Sequence, residues 1–292
     1  MSRKPRSQRL PPKLPDPANE RPERLDSGPN PRELLKQHHV AGRSLRFGRD
    51  EVLSIMRRVE HGVPNALYGL PPFPGLTREQ VAAAVEVQYG WEGDGPRARI
   101  APARTVDGFT AAVSRILEVA RDGGRCAFAT ARPAALLQLY RRLAVCAAAE
   151  GAEVLTGQET VGFGRNGRRV RWIDDVAVLT DGAALLADDS VEGAEEWLFT
   201  LARPDLVVAD HSYAGVASAS GLEVVAFADL DAVALAVAAW QGRALRIVPL
   251  DDRRPPPSYA GLLDLLDSLA AVPVDPLCGH LAAGGVGAET TT

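Results

Sequence analysis

A chain of 292 residues is long enough to bury a sizeable core in one large or two modest domains. Hydrophobic content of 46% is that of a globular protein, but aromatics make up only 5%, so alanine and valine must fill much of the interior. A net charge of −4 is too mild to point to a nucleic-acid or membrane partner, and no apolar stretch reaches the length of a membrane span. Cys126, Cys146 and Cys278 show no CxxC spacing and no disulfide framework, which suggests a reducing compartment. Cys126 and Cys146 lie in apolar runs and read as small core residues. The basic N-terminus has no hydrophobic region behind it and is not a secretory signal, so a cytoplasmic protein is expected.

Residues 1–32 hold eight Pro and eight Lys or Arg against four acids, with few large apolar residues. Such a segment cannot offset its ordering entropy, and 1–40 reads as a disordered basic arm, with one helical turn near 32–39. Residues 50–59 have helical spacing under an Asp50 cap. The Pro- and Gly-rich stretch 62–75 is a loop, after which Thr77 and Gln80 form a capping box ahead of VAAAVEVQYG. Residues 91–102 read as a turn-rich connection; Gly93-Asp94-Gly95-Pro96 lacks the strand and Lys-Ser/Thr of a phosphate loop. Together, 41–104 reads as a helical cap or lid.

From 105 to 272 the rhythm becomes regular. A helix to Arg121 ends at Gly123 and Gly124, and a strand spans 125–129. Pro133 opens the next helix, and strands follow at 152–155 and 176–179. Between these, residues 160–163 and 168–173 flank Asn166-Gly167, the signal of an inserted β-hairpin. A helix over 191–202 precedes the strand 206–209, a short apolar run of the kind that is buried on both faces of a parallel sheet. Helix 212–220, strand 223–227, helix 231–241, strand 245–248 and helix 259–270 continue the alternation. The expected fold is α/β: a mostly parallel, Rossmann-like sheet with flanking helices, a β-hairpin insertion and an N-terminal helical cap. Residues 273–292 read as a disordered tail, which leaves His280, like His38 and His39, without a role.

Open α/β sheets bind ligands outside the carboxyl ends of their strands. In this register those ends carry Thr130 and Arg132; Thr180 and Asp181; Asp210, His211 and Ser212; Asp229; and Asp251, Asp252 and Arg253. Any one of these acids could be a simple helix cap, but a structural protein has no need of them at strand after strand. Converging carboxylates beside basic residues suit a hard cation, and Asp181, Asp210 and Asp229 are the candidate ligands for Mg2+. Asp174, Asp175, Asp188 and Asp189 read as solvated loop acids. Arg132 and Arg253 have the planar forks that hold a phosphate, with Thr130, Thr180 and Ser212 as further substrate contacts. Asp210 and His211 are the candidate catalytic pair, the imidazole having a useful intrinsic pKa. No GxSxG elbow surrounds Ser212, and no GxGxxG, Walker A or HExxH motif is found.

The run PDLVVADHSYAGVA at 204–217, with TDGAALL upstream and RIVPLDDRRPPPSY downstream, resembles a family of actinobacterial proteins labelled phosphatases. The resemblance covers about residues 41–270. It implies phosphatase activity and agrees with the acid-rich strand ends and with Arg132 and Arg253 as anion contacts. The expected function is a metal-assisted, phosphatase-like hydrolase of a small phosphorylated metabolite. The alternative is a non-catalytic module recognising a nucleotide or sugar phosphate in the same pocket, and a transferase could use it too. No membrane or nucleic-acid partner is expected.

Overall fold

The computed structural model describes residues 30–160, 162 and 167–270. Most of the basic arm, Asn166, Cys278, His280 and the C-terminal tail lie outside the described residues. Asn30 caps α1 (Pro31–Gln37), and β1 (Gly42–Gly48) follows. Helix α2 (Arg49–Glu60) begins at Gly48, so Asp50 is not the cap; it sits in the first turn, where a negative charge suits the helix dipole. The predicted capping box opens α3 (Arg78–Tyr89): the Gln80 N–H donates to Thr77 Oγ1 at 3.4 Å and the Thr77 N–H to Gln80 Oε1 at 3.0 Å. Next, β2 (Arg97–Ile100) pairs antiparallel with β1. The cap is therefore not purely helical. Its ribbon escapes the sequence because RSLRFG and RARI are short and interrupted by arginine, with too little apolar alternation to read as strands.

The sheet region runs α4 (Pro102–Arg121), β3 (Arg125–Ala129), α5 (Pro133–Ala149), β4 (Glu153–Val154), β5 (Arg169–Ile173), β6 (Val176–Thr180) and β7 (Leu185–Leu186). It continues with α6 (Val191–Phe199), β8 (Leu206–Asp210), α7 (His211–Ala219), β9 (Val224–Ala228), α8 (Val233–Trp240), β10 (Leu245–Pro249) and α9 (Ala260–Leu269). The hairpin expected about Asn166-Gly167 involves undescribed residues. The hairpin that the structure shows joins β5 to β6, and its two turn residues are Asp174 and Asp175, both at positive φ (45° and 66°). Aspartate tolerates this conformation, which matches the twist of a two-residue hairpin.

The main path of the sheet is β10-β9-β8-β3-β6-β5. β4 and β6 both pair in parallel with β3, and β5 and β7 pair antiparallel with β6. From β3 the chain moves one way to β4 and β6; from β8 it moves the other way through β9 to β10. Right-handed crossovers running in opposite directions place α5 and α7 on opposite faces. β3 and β8 are thus the neighbours at which the strand order reverses, where such sheets open a crevice.

Every residue of β6, β8 and β9 is buried, and Cys126 and Cys146 are core residues as expected. Helix α8 buries Val233 through Ala238 because it lies between the sheet and the cap, touching β10 on one side and α2 and α3 on the other. A helix covered all round must be apolar all round. Among the described residues no helix is long and apolar enough to cross a membrane.

One ion pair ties α4 to the strand edge: Arg115 donates to Glu223 through Nε at 2.9 Å and Nη2 at 2.8 Å. This fork holds the Glu223 carboxyl below its usual range. A depressed carboxyl stabilises the fold above its unfolded pKa and loses that contribution as pH falls through the folded value. Glu223→Gln should therefore cost about 1 kcal/mol at about pH 7 and much less at about pH 3, read from urea midpoints. Equal losses at both pH values would contradict the assignment.

Candidate active site at the strand switch point

Asp210 ends β8 and stands at the N-cap position of α7, yet its side chain makes no capping bond to its own helix. Its carboxylate reaches sideways instead, accepting the Thr130 hydroxyl at 2.6 Å and the Ala131 N–H at 2.8 Å from the loop after β3. Thr130 Oγ1 in turn accepts the Arg132 N–H at 2.9 Å. The simple cap reading therefore fails for Asp210. All these groups are buried.

His211, the next residue, takes φ +44° at the head of α7, a conformation that costs a non-glycine residue about 1 kcal/mol or more. The left-handed turn swings its ring beside Asp210, with Nδ1 3.3 Å from Asp210 Oδ1. Nε2 faces Asp252 Oδ2 at 3.2 Å, Asp231 Oδ1 at 3.5 Å and Arg132 Nη2 at 3.0 Å. Tyr68, from the Pro- and Gly-rich loop, packs edge-on against the imidazole with ring centroids 5.2 Å apart. That loop can approach only because residue 215 is glycine: a Cβ there would lie 1.9 Å from the Tyr68 carbonyl oxygen.

Two guanidinium groups pair with the acids. Arg132 grips Asp189 through Nη1 at 2.7 Å and Nη2 at 2.9 Å. Arg46, carried by β1 of the cap, donates to Asp229 Oδ2 at 2.7 Å and Asp252 Oδ1 at 3.4 Å and lies 3.6 Å from Asp231 Oδ2. Arg253 is half-exposed at the rim, 3.9 Å from Asp231 and 3.8 Å from Asp252.

The crowding shifts protonation. Burial and then the charges of Asp252, Asp231 and Asp251 push Asp229 well above the usual carboxylate range, against Arg46. Asp252 is pushed up to about 7 by burial, with His211 opposing and Asp231 adding to the rise. Burial would raise Asp231 too, but His211, Arg46 and Arg132 hold it well below the ordinary value. For His211 burial acts to lower the pKa, and Asp252, Asp210 and Asp231 together reverse this and raise it well above normal. The carboxylates around the ring thus favour its charged form, while Arg132 Nη2 at 3.0 Å from Nε2 opposes it.

Among the described residues two sets of side chains could hold a metal ion: His211, Asp231 and Asp252, and Asp229, Asp251 and Asp252. The first fits a cation on independent grounds. Asp231 Oδ1 and Asp252 Oδ2 are both shielded from solvent and make no hydrogen bond, although His211 Nε2 lies 3.5 and 3.2 Å away, so each has a lone pair free for a cation. Their chemistry is that of hard oxygen ligands.

Residues 27–271 match the family model described as Phosphatase. The chain belongs to the Phosphatase family. It is 32% identical over 237 residues to Phosphatase SCO2771 of Streptomyces coelicolor, an alignment covering 78% of this chain and 89% of that protein. No solved structure gives a significant match.

In this Phosphatase-family chain the predicted residues fall into two groups. Thr130, Arg132, Asp210, His211 and Asp229 line one cluster, with Arg253 at its edge. Ser212 is buried beside it and donates to the Asp189 carbonyl at 2.5 Å. Thr180 and Asp181 belong instead to the turn before β7: Thr180 Oγ1 donates to the Ala184 carbonyl and accepts the Gly182 N–H. Asp181 is exposed, and its Oδ1 accepts the Ala183 and Ala184 N–H groups at 2.9 and 2.8 Å. These two residues close a turn, and the structure does not bring them to the cluster. Asp189, read as a solvated loop acid, is the partner of Arg132. Arg46, Tyr68, Asp231 and Asp252 complete the constellation. Asp252 stood at a predicted strand end, so position could have found it; Arg46 is 183 residues from Asp229 and carries no local signal.

The Thr130–Asp210 bond extends the pairing of β3 and β8 beyond the last paired residues of β3. Thr130→Val, which removes the hydroxyl and strands a buried carboxylate, should cost about 1–3 kcal/mol in urea denaturation. Thr130→Ser should retain most of the stability; equal losses would show that shape rather than the hydrogen bond matters.

Proposed function

We propose that the cluster hydrolyses the phosphate monoester of a small metabolite with the help of a divalent cation, Mg2+ being the ion that its oxygen ligands suit. The observation that carries this reading is the pair of buried, unpartnered carboxylate oxygens of Asp231 and Asp252 facing His211 at the switch point, in a chain of the Phosphatase family. Asp231 and Asp252 would hold the ion, with Asp229 in the adjoining acidic set. When bound, the ion supplies Lewis-acid polarisation of the phosphoryl group.

The protein's own residues supply the rest. Arg253, half-exposed at the rim, presents its guanidinium fork to the phosphate, and Arg132, fixed because Asp189 grips it on both terminal nitrogens, adds a positive charge beside it. Asp210 is a positioning residue: held by Thr130 and Ala131, it orients His211 through Nδ1 and leaves Nε2 turned to Asp231 and Asp252. His211, held by Asp210 through Nδ1, is the proton donor to the leaving oxygen. Water adds to phosphorus, the ester P–O bond breaks, and the alcohol departs with the proton from Nε2. We also read residues 41–104 as a cap over this pocket, since Arg46 and Tyr68 both enter it from there.

The test is phosphate release from a panel of phosphomonoesters, with Mg2+ and after exhaustive chelation. Wild-type protein should turn over at least one ester, and only with the ion. Asp210→Asn, which keeps the shape of the side chain, should lower kcat by about 10²-fold or more while leaving the melting temperature little changed. Undiminished turnover in that variant would end the assignment of the Asp210–His211 pair. Tight binding of a phosphorylated metabolite with no product would favour the non-catalytic module instead.

A further inference from the structure

Asp252 has one oxygen in each of two acidic settings, and the two settings differ in what already occupies them. On the side of Asp229 and Asp251 four of the five carboxylate oxygens accept a hydrogen bond within the protein. Asp229 Oδ1 accepts the Leu230 N–H at 2.7 Å and Oδ2 accepts Arg46 Nη1 at 2.7 Å. Asp251 Oδ1 accepts the Arg253 N–H at 3.0 Å, and Oδ2 lies 3.3 Å from Arg254 Nε. Asp252 Oδ1 takes the same Arg46 nitrogen at 3.4 Å. On the side of His211 and Asp231, Asp252 Oδ2 and Asp231 Oδ1 make no hydrogen bond, although Asp252 is wholly buried; their neighbours are His211 Nε2, at 3.2 and 3.5 Å, and Arg132 Nε, 3.8 Å from Asp252 Oδ2.

Arg46 is also held in advance. Ser44 Oγ accepts the backbone N–H groups of Arg46 at 3.2 Å and Phe47 at 2.9 Å, and the guanidinium Cζ lies 4.5 Å from the centre of the buried Phe47 ring. A guanidinium stays charged at any working pH and its planar fork loses little freedom on binding, so it acts as a permanent cation in this place.

We propose that Arg46 is a resident cation that fills the Asp229–Asp251–Asp252 set, so that the protein takes one divalent ion, at Asp231 and Asp252 beside His211, and not a pair bridged by Asp252. This rests on the reading above that the open carboxylate oxygens bind a cation. It goes further in assigning Arg46, a residue of the cap, the role that a second metal ion plays in two-metal phosphoryl-transfer sites.

The test counts Mn2+ bound per folded chain at saturation, by equilibrium dialysis, in the full-length protein. Wild type should hold one ion and Arg46→Met two, while Arg46→Lys, which keeps a positive charge, should stay at one. Circular dichroism and the melting temperature show whether each variant is folded, and Arg46→Gln serves in place of Arg46→Met if the latter is not. Two ions in wild type, or one in a folded Arg46→Met and Arg46→Gln alike, would overturn the role of Arg46 and leave the cation reading intact. No ion in wild type or variants would overturn both.

Discussion

The reach of the Asp210 carboxylate across the sheet, from the end of β8 to Thr130 and Ala131 after β3, is the contact on which the rest of the site depends. An acid at a helix start would ordinarily turn back to its own N–H groups. Here β3 and β8 are neighbours whose helices leave toward opposite faces, so the gap between their ends is open and needs a polar filler. Asp210 fills it with a short hydroxyl bond and a backbone bond, both buried. With Asp210 fixed, the strained backbone of His211 has a compensation, because its ring gains a carboxylate on Nδ1 and aims Nε2 at Asp231 and Asp252. Strain held at one residue by surrounding contacts is a common feature of working sites.

The second constraint is charge. Carboxylates brought this close out of water cannot all remain ionised without compensation. The protein meets that cost with a proton on His211 and with guanidinium groups from three places: Arg132 on the β3 loop, Arg253 at the rim and Arg46 from the cap. Because Arg46 lies in β1, the packing of the N-terminal segment on the sheet also brings a cation to the acids. Gly215 makes a second such link, since the Tyr68 loop rests on α7 where a side chain would stand. Cap and sheet share one apolar cluster, with α8 buried between them.

The alternation of apolar runs and helical stretches was legible because parallel strands buried on both faces must be apolar throughout, whatever they pack against. Strand 206–209, helix 133–149 and the Thr77 capping box are local patterns and were placed nearly to the residue. The β1–β2 ribbon was not legible, because its arginines face neighbours that no local pattern names. The structure also shows a hairpin at Asp174-Asp175 that no glycine announces, because two aspartates adopt the positive φ that glycine usually supplies.

Sequence by itself determined the alternating α/β layers, the parallel run of strands and the fact that acids stand at strand ends, because periodicity and strand burial are properties of short segments. It did not determine which of those acids meet. Asp181 and Asp210 look alike in sequence, each following an apolar strand, yet one closes an exposed turn and the other lies under Thr130. That choice belongs to the tertiary structure, since it depends on where the strand order reverses and on side chains such as Arg46 and Asp252, brought together across more than two hundred residues of chain.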